Sequence, residues 1–338
     1  MEPVVIVHGG AGDIPTSRVE GKLNGVKKAV KTGYKSLLES GSVLQAVEDA
    51  VKVMELDENF NAGYGSVLTC DGTVEMEASL MEMRKNALGP PQINAGCVTL
   101  VKDIHHPISL ARKVLETPHN FIGGEQANIL AKKHGFEILP DGALITEFAK
   151  LALEEWKNES ERGTVQFART EIGEEDRFGE GGTVGAVAID KDGNIAVATS
   201  TGGITGKYRG RIGDTPLLGC GTFCNEFGGV STTGHGETIM KSVLAHDILK
   251  RIEYLGQAPQ KACEEACRNM TKNLEGTGGA ICIDKNGEVG VYFTSNRMAW
   301  AYQKKDTITY GINHKSDKAH GIDILSEKVE GKGILGLF

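Results

Sequence analysis

The most constraining stretch of this chain is Gly181-Gly182-Thr183, which runs straight into Val184-Gly185-Ala186-Val187-Ala188-Ile189-Asp190. Val184 to Ile189 is a short apolar run of small and β-branched residues, and it reads as a buried strand. A buried strand is fixed from both sides, so whatever stands at its tip is held rigidly. Here the tip is a threonine behind two glycines. An internal threonine hydroxyl is a poor nucleophile, because it lacks a base. A threonine at a newly made N-terminus brings its own base, an α-amino group whose pKa of roughly 7.7–8 leaves a useful unprotonated fraction near neutral pH. Glycine reaches backbone angles closed to other residues, so Gly182 suits a peptide bond held under strain. Thr183 is therefore a candidate nucleophile that becomes competent once the Gly182–Thr183 bond is cut. A threonine that merely opens a strand is the alternative.

Further motifs follow. Asp192-Gly193-Asn194 reads as a turn and Ile195 to Thr199 as a second strand. Then come Ser200-Thr201-Gly202-Gly203, Gly210-Arg211-Ile212-Gly213-Asp214-Thr215-Pro216 and Ser231-Thr232-Thr233-Gly234-His235-Gly236-Glu237. Arg211 and Asp214 place opposite charges on one loop. A guanidinium can grip an α-carboxylate bidentately while a carboxylate pairs with the α-ammonium on the same carbon, so the pair suits an amino-acid substrate. A plain surface ion pair is the alternative. Thr233 and Gly234 precede an expected helix, whose first N–H groups favour negative charge such as an oxyanion. Simple helix capping would use the same residues.

Together with Val5-Ile6-Val7-His8-Gly9-Gly10-Ala11-Gly12 near the start, these motifs, in this order, resemble the threonine-dependent, plant-type asparaginase/isoaspartyl peptidase family of N-terminal-nucleophile hydrolases. The likeness runs almost to the C-terminus. It implies that Thr183 attacks a substrate side-chain carbonyl and that Thr201 orients it. It also implies that Asn61, in Asn59-Phe60-Asn61-Ala62-Gly63-Tyr64-Gly65, sits at the active site, and that the His8–Gly12 loop lies against the nucleophile. The loop before Asn61 resembles one that binds a structural sodium ion through backbone carbonyls, here those of Met54, Glu55, Asp57, Phe60, Ala62 and Tyr64. No cofactor is implied for catalysis.

Composition narrows the class. A net charge of −8 argues against a nucleic-acid partner. No apolar run approaches the ~20 residues of a membrane span. Met1-Glu2-Pro3-Val4-Val5 lacks a basic region and a cleavage site, so a cytoplasmic enzyme with reduced thiols is expected. The seven cysteines lack the short spacing of a zinc site. The His8–Gly12 loop lacks the Gly-Lys-Ser/Thr ending of a nucleotide cradle.

Along the chain, Val4 to Val7 reads as a strand and Leu23 to Leu38 as a helix. A second helix starts at Ser42, with Gln45 completing a capping box. Ser66 to Cys70 and Thr73 to Met81 read as a hairpin about Asp71-Gly72, and Arg84 to Asn94 as a surface insertion. Gly96 to Val101 reads as a strand; Pro107 to Leu115, Gly124 to His134 and Phe148 to Trp156 read as helices. Asn158 to Gly182 has the polar composition of a linker. Glu237 to Leu255 reads as one long helix and Pro259 to Asn273 as another, with a strand pair at Gly278 to Ile283 and Val289 to Thr294. Strands and helices in alternating blocks suit an α+β fold with two sheets between helical layers, the four-layer αββα sandwich of the resembled family. Residues 1–182 would form an N-terminal α subunit with a linker at about 158–182, and residues 183–338 a β subunit headed by the nucleophile, together one folded unit.

The expected activity is self-cleavage, followed by hydrolysis of L-asparagine to L-aspartate and ammonia and of isoaspartyl (β-aspartyl) dipeptides. The expected assembly is a homodimer of αβ units, with no nucleic-acid or membrane partner. Three alternatives stand beside it: a glycosylasparaginase-like hydrolase, a threonine aspartase-like hydrolase, and an unprocessed amino-acid-binding protein.

Overall fold

The computed structural model describes residues 1–161, 182–314 and 322–329. The N-terminal part holds β1 (Val4–Gly12), α1 (Thr16–Ser40), α2 (Val43–Glu55), β2 (Met76–Arg84), β3 (Gln92–Val101), α3 (Pro107–Leu115), β4 (Phe121–Gly123), α4 (Glu125–Lys133) and α5 (Glu147–Glu161). The remainder holds β5 (Val184–Ile189), β6 (Ile195–Thr201), β7 (Thr222–Asn225), β8 (Gly228–Gly234), α6 (Gly236–Ser242), α7 (Leu244–Leu255), α8 (Pro259–Leu274), β9 (Gly278–Asp284), β10 (Val289–Phe293), β11 (Arg297–Lys304), β12 (Thr307–Asn313) and β13 (Leu325–Lys328).

Nine strands form one sheet in the order β13-β12-β11-β1-β5-β6-β2-β3-β4, and four form a second in the order β10-β9-β8-β7. The two sheets face each other, with β5 and β6 against β8 and β1 against β9. Helices α1, α2 and α3 cover the outer face of the large sheet, and α7 and α8 cover that of the small one. This is an α+β sandwich of four layers.

Strand alternation explains the layering. Val5 and Val7, Ala78 and Leu80, Val184, Ala186 and Ala188, and Ala196 and Ala198 face the helices in one apolar cluster. Val4 and Ile6, Met81 and Met83, Val187 and Ile189, and Ile195 and Val197 face the other sheet in a second cluster. The alanines of β5 and β6 let α2 come close; the larger residues fill the gap between sheets.

Along that inner face the residues form rows across four strands. Val4, Ile189, Ile195 and Met83 make the first row, and Ile6, Val187, Val197 and Met81 the second. His8, Gly185, Thr199 and Ser79 make the third, where apolar side chains give way to polar ones. One step further, Glu77 pairs with Thr201, and Thr183 stands just before β5. Opposite, Gly229 of β8 packs on Val187, Ile195 and Val197, so Ser231 and Thr233 follow on the same face.

Several expectations need correction. Residues 66–70 form no strand, and Thr69 makes only an isolated bridge to Lys207. The hairpin joins β2 to β3 instead, and residues 84–94 are its tip and flanks, from the Arg84–Gln92 pair outward. The expected Glu237–Leu255 helix is broken at Val243, which takes a left-handed conformation with φ 50°. A β-branched residue rarely adopts that angle, so the sequence carries no sign of the break. Helix α1 begins earlier than expected, and Ser42 caps α2 by accepting the Gln45 N–H at 3.2 Å. The linker expected at 158–182 overlaps the end of α5; its residues 162–181 lie outside the described residues.

Candidate active site

The polar end of the inner face is where the singled-out residues meet. Thr183 is buried, with 6% of its surface exposed. Val184 pairs with Ser200, so strand register sets Thr183 beside Thr201. Thr201 Oγ1 accepts the Gly203 N–H at 2.9 Å, which turns the chain at the end of β6.

The segment before Thr183 is pressed against the glycine-rich end of β1. A Cβ on Gly10 would fall 2.5 Å from the Gly182 carbonyl oxygen, and one on Gly182 would fall 2.4 Å from the Ala11 nitrogen. Gly10 also holds φ +103°, which disfavours any side chain. Backbone therefore touches backbone at the bond preceding Thr183. Thr233 Oγ1 accepts the Ala11 N–H at 3.0 Å, so β8 grips the same loop from the facing sheet.

Asn61 reaches this region from the loop after α2. Its Nδ2 donates to the Gly203 carbonyl at 2.7 Å, and its Oδ1 accepts the Val67 N–H at 2.9 Å. Its own carbonyl accepts the Gly202 N–H at 3.1 Å.

Thr233 and Gly234 are the last residues of β8, not the residues leading into a long helix; His235 and the seven-residue α6 follow. Any anion they meet would be met by a strand end. Thr232 donates its N–H to Gly221 on the β7 side at 2.9 Å. Alternation turns the Gly234 N–H to that side as well, beyond the Thr222–Ser231 pair where β7 ends.

Arg211 and Asp214 lie on the loop before β7. Arg211 donates from Nε and Nη2 to the two Glu237 oxygens, each at 2.9 Å. That ion pair uses one edge of the guanidinium. Nη1 lies on the other edge, against Gly203 and Gly213, whose missing Cβ atoms would stand 3.3 and 2.7 Å away. Burial would lower the Arg211 pKa, but Glu237, Glu77 and Asp214 raise it overall. Asp214 is pushed up to about 7, chiefly by burial, which outweighs the opposing pull of Arg211. Asp214 is thus poised between acid and carboxylate near neutral pH.

The loop has carboxylate struts. Glu77 accepts the Gly213 N–H at 3.0 and 3.1 Å, and Glu75 accepts the Gly210 N–H at 2.9 Å. Burial raises the Glu77 pKa against the pull of Lys207 and Arg211. Lys207, itself buried, donates to the Glu75 carbonyl at 2.6 Å. Glu75, Glu77, Lys207 and Glu237 were not singled out from sequence, nor was His8 for its side chain.

In the loop read as a sodium site, several of the named carbonyls also accept backbone hydrogen bonds. The Glu55 carbonyl accepts Tyr64 N–H at 2.8 Å, that of Met54 accepts Asp57 N–H at 3.2 Å, and that of Asp57 accepts Phe60 N–H at 3.0 Å. The Met54 carbonyl also accepts the Leu56 N–H, whereas those of Glu55 and Asp57 keep a second lone pair. A Cβ on Gly63 would strike the Glu55 oxygen at 2.2 Å, and one on Gly65 the Phe60 oxygen at 2.6 Å. Glycine at both positions leaves these oxygens clear, and carbonyl oxygens suit a hard cation.

An asparaginase family model matches residues 1–312. The chain belongs to the asparaginase family. Among family members, a probable isoaspartyl peptidase/L-asparaginase of Drosophila pseudoobscura pseudoobscura is 54% identical over 318 residues, 92% of this chain and 96% of that protein. One from Drosophila melanogaster is 52% identical over 324 residues, again 92% of this chain and 95% of that protein. The isoaspartyl peptidase/L-asparaginase of Homo sapiens is 42% identical over 316 residues, covering 93% and 97%. The asparaginase family supplies the N-terminal-nucleophile hydrolase architecture in which the geometry above stands.

Proposed function

We propose that the protein cuts itself between Gly182 and Thr183. It then hydrolyses the side-chain amide of L-asparagine to L-aspartate and ammonia, and cleaves β-aspartyl dipeptides. The observation that carries this reading is the position of Thr183: at the tip of a buried central strand, behind a peptide bond pressed onto Gly10 and Ala11, with Arg211 and Asp214 one loop away.

In self-cleavage the Thr183 hydroxyl adds to the Gly182 carbonyl, the C–N bond breaks, and water hydrolyses the resulting ester. The freed amine is then the base. Thr183 Oγ attacks the substrate amide carbon as its proton passes to that amine. Negative charge builds on the carbonyl oxygen, and the Gly234 N–H and the Thr233 side chain would be the donors that meet it. The protonated amine returns its proton to the departing ammonia or peptide amine, leaving an ester on Thr183. Water, deprotonated by the same amine, releases aspartate. Thr201 and Asn61 orient the nucleophile. The free edge of Arg211 takes the substrate α-carboxylate, and ionised Asp214 takes the α-ammonium.

The carbonyls of Met54, Glu55, Asp57, Phe60, Ala62 and Tyr64 would hold a structural sodium ion, steadying the loop that carries Asn61. We assign the protein to the cytoplasm and to a homodimer of αβ units. Among the described residues no helix is long and apolar enough to cross a membrane.

N-terminal sequencing of active protein tests the reading. A fragment beginning Thr-Val-Gly-Ala is expected, together with ammonia release from asparagine. Activity from a wholly intact chain would refute it, and light scattering of the active species tests the dimer.

A further inference from the structure

The glycine-rich end of β1 has little support from its own sheet. Register with β11 shifts between His8 and Ala11, and pairing with β5 stops at His8. Gly9 and Gly10 have no partner in either register, yet Gly10 is the residue pressed on Gly182. The oxygen, carbonyl carbon and Cα of Gly182 would lie 2.5, 2.7 and 2.7 Å from a Cβ on Gly10. What fixes this stretch must come from other layers. On the inner side, Thr233 Oγ1 accepts the Ala11 N–H. On the helical side, Lys22 of α1 donates from Nζ to the Gly9 carbonyl at 2.8 Å.

Lysine is an unusual choice for this place. Only 3% of Lys22 is exposed, and the Phe60 ring faces its ammonium with the centroid 4.9 Å from Nζ. Burial drives its pKa down to about 7; Arg18 adds to the fall and Asp57 opposes it. This is an amine taken out of water with too few partners to balance the loss. Ammonium and neutral amine both carry N–H groups, so the hold on Gly9 is present in either form. The surroundings are shaped round the contact. A Cβ on Gly9 would meet Phe60 Cε1 at 2.4 Å, and one on Gly25, a turn further along α1, would meet Cε2 at 2.4 Å. Two glycines thus admit the ring that shields the amine.

We propose that Lys22 is a positioning residue for self-cleavage, holding the Gly9–Gly10 peptide against the bond that Thr183 attacks. A trans peptide is planar, so fixing the Gly9 carbonyl fixes the plane from which Gly10 continues. The clamp has two jaws. Lys22 draws Gly9 toward the helices, Thr233 draws Ala11 toward the facing sheet, and Gly10 between them backs the Gly182 carbonyl. With that carbonyl held still, the Thr183 hydroxyl meets its carbon from one direction. With Gly10 free to shift, the productive approach becomes one of many. Lys22 acts through Gly9 and takes no part in the bonds that form and break.

Stability and self-cleavage should part company when Lys22 is replaced. Lys22→Met keeps most of the volume and removes both the donor and the buried charge. Melting is read on uncut chains, Thr183→Ala with and without Lys22→Met, and the double variant should melt no lower. With Thr183 intact, self-cleavage is followed on a denaturing gel after a pulse of translation. Lys22→Met should cut about 10- to 100-fold more slowly than the wild type, and Lys22→Arg, which keeps a donor, should recover much of the rate. Lys22→Leu takes the place of Lys22→Met if that variant folds poorly. An unchanged rate without the donor, a slowing matched by a fall in melting temperature, or Lys22→Arg no faster than Lys22→Met would each overturn the proposal. It rests on Gly182–Thr183 as the bond that is cut. If that reading fails, active wild-type protein stays intact; if Lys22 alone is misassigned, the wild type is cut and Lys22→Met is cut as fast.

Discussion

The two halves of the site are held by different forces. Around Thr183 the contacts are mostly neutral: Thr201, Asn61, Thr233, the glycine-rich backbone, and a histidine kept uncharged by burial, with the Lys22 ammonium behind them on the Gly9 carbonyl at 2.8 Å. Around Arg211 charges crowd together: Glu237, Glu77, Asp214 and Lys207 each interact with its guanidinium. The difference follows from the task. A carboxylate beside the freed Thr183 amine would raise its pKa and keep the base protonated at neutral pH. The half proposed for recognition would hold a zwitterion, which needs fixed charges of both signs.

Variants can break this contrast, and the largest effect belongs to the neutral half. Thr183→Ala should remain a single chain on a denaturing gel and lose at least about 10⁴-fold in kcat, since nothing else supplies the covalent step. In the charged half, Arg211→Ala should cost about 2–4 kcal/mol, roughly thirty- to a thousand-fold in kcat/KM, mostly through KM. Asp214 should impose a pH limb. Its pKa in the free protein is raised to about 7, so below that value it is protonated and cannot pair with the substrate ammonium. The value of kcat/KM should therefore fall about tenfold per unit as pH drops through 7, steepened by titration of the Thr183 amine. In Asp214→Asn the pH profile should retain only the amine's share. Glu237→Gln keeps the shape but removes the charge that fixes the guanidinium, and about a tenfold rise in KM is expected, with kcat close to wild type. Subtlest is Gly10→Ala. Its Cβ would meet the Gly182 oxygen at 2.5 Å, so self-cleavage should slow in a time course on a gel while any mature fraction keeps most of its activity.

The neutral half was far more legible in the sequence than the charged one. Thr183, Thr201, Asn61 and the His8–Gly12 loop stand in compact motifs, and the strand after Thr183 has unbroken apolar character. Arg211 and Asp214 share a motif too, but their struts come from elsewhere. Glu75 and Glu77 lie more than a hundred residues upstream, and only the pairing of β2 with β6 brings them near. Glu237 lies in the first turn of α6, where the sequence places a helix start, but no sequence pattern shows that its side chain turns back to Arg211. A usable signal existed for the polar end of the inner face. Ile195-Val197-Thr199-Thr201 and Met83-Met81-Ser79-Glu77 change from apolar to polar at the same step of period two, which marks where a sheet's inner face meets a site. In the fold, α3 was placed to the residue because Pro107 fixes its start. The hairpin about Asp71-Gly72 was misplaced because Asp-Gly turns need not join strands, and the Val243 break lacks the glycine that usually announces one.

The order of strands in the large sheet has a consequence for how such a molecule is made. Strand β1 lies between β11 and β5, and the β5–β6 pair lies between β1 and β2, so pieces from before and after residue 183 are interleaved. The cleavage proposed there would turn a unimolecular folding reaction into a meeting of two polypeptides. Recovery of denatured mature protein should then rise with concentration, whereas uncut Thr183→Ala should refold equally well when dilute. The proposed backbone break would be a point of no easy return, so the architecture would have to be complete before it is made.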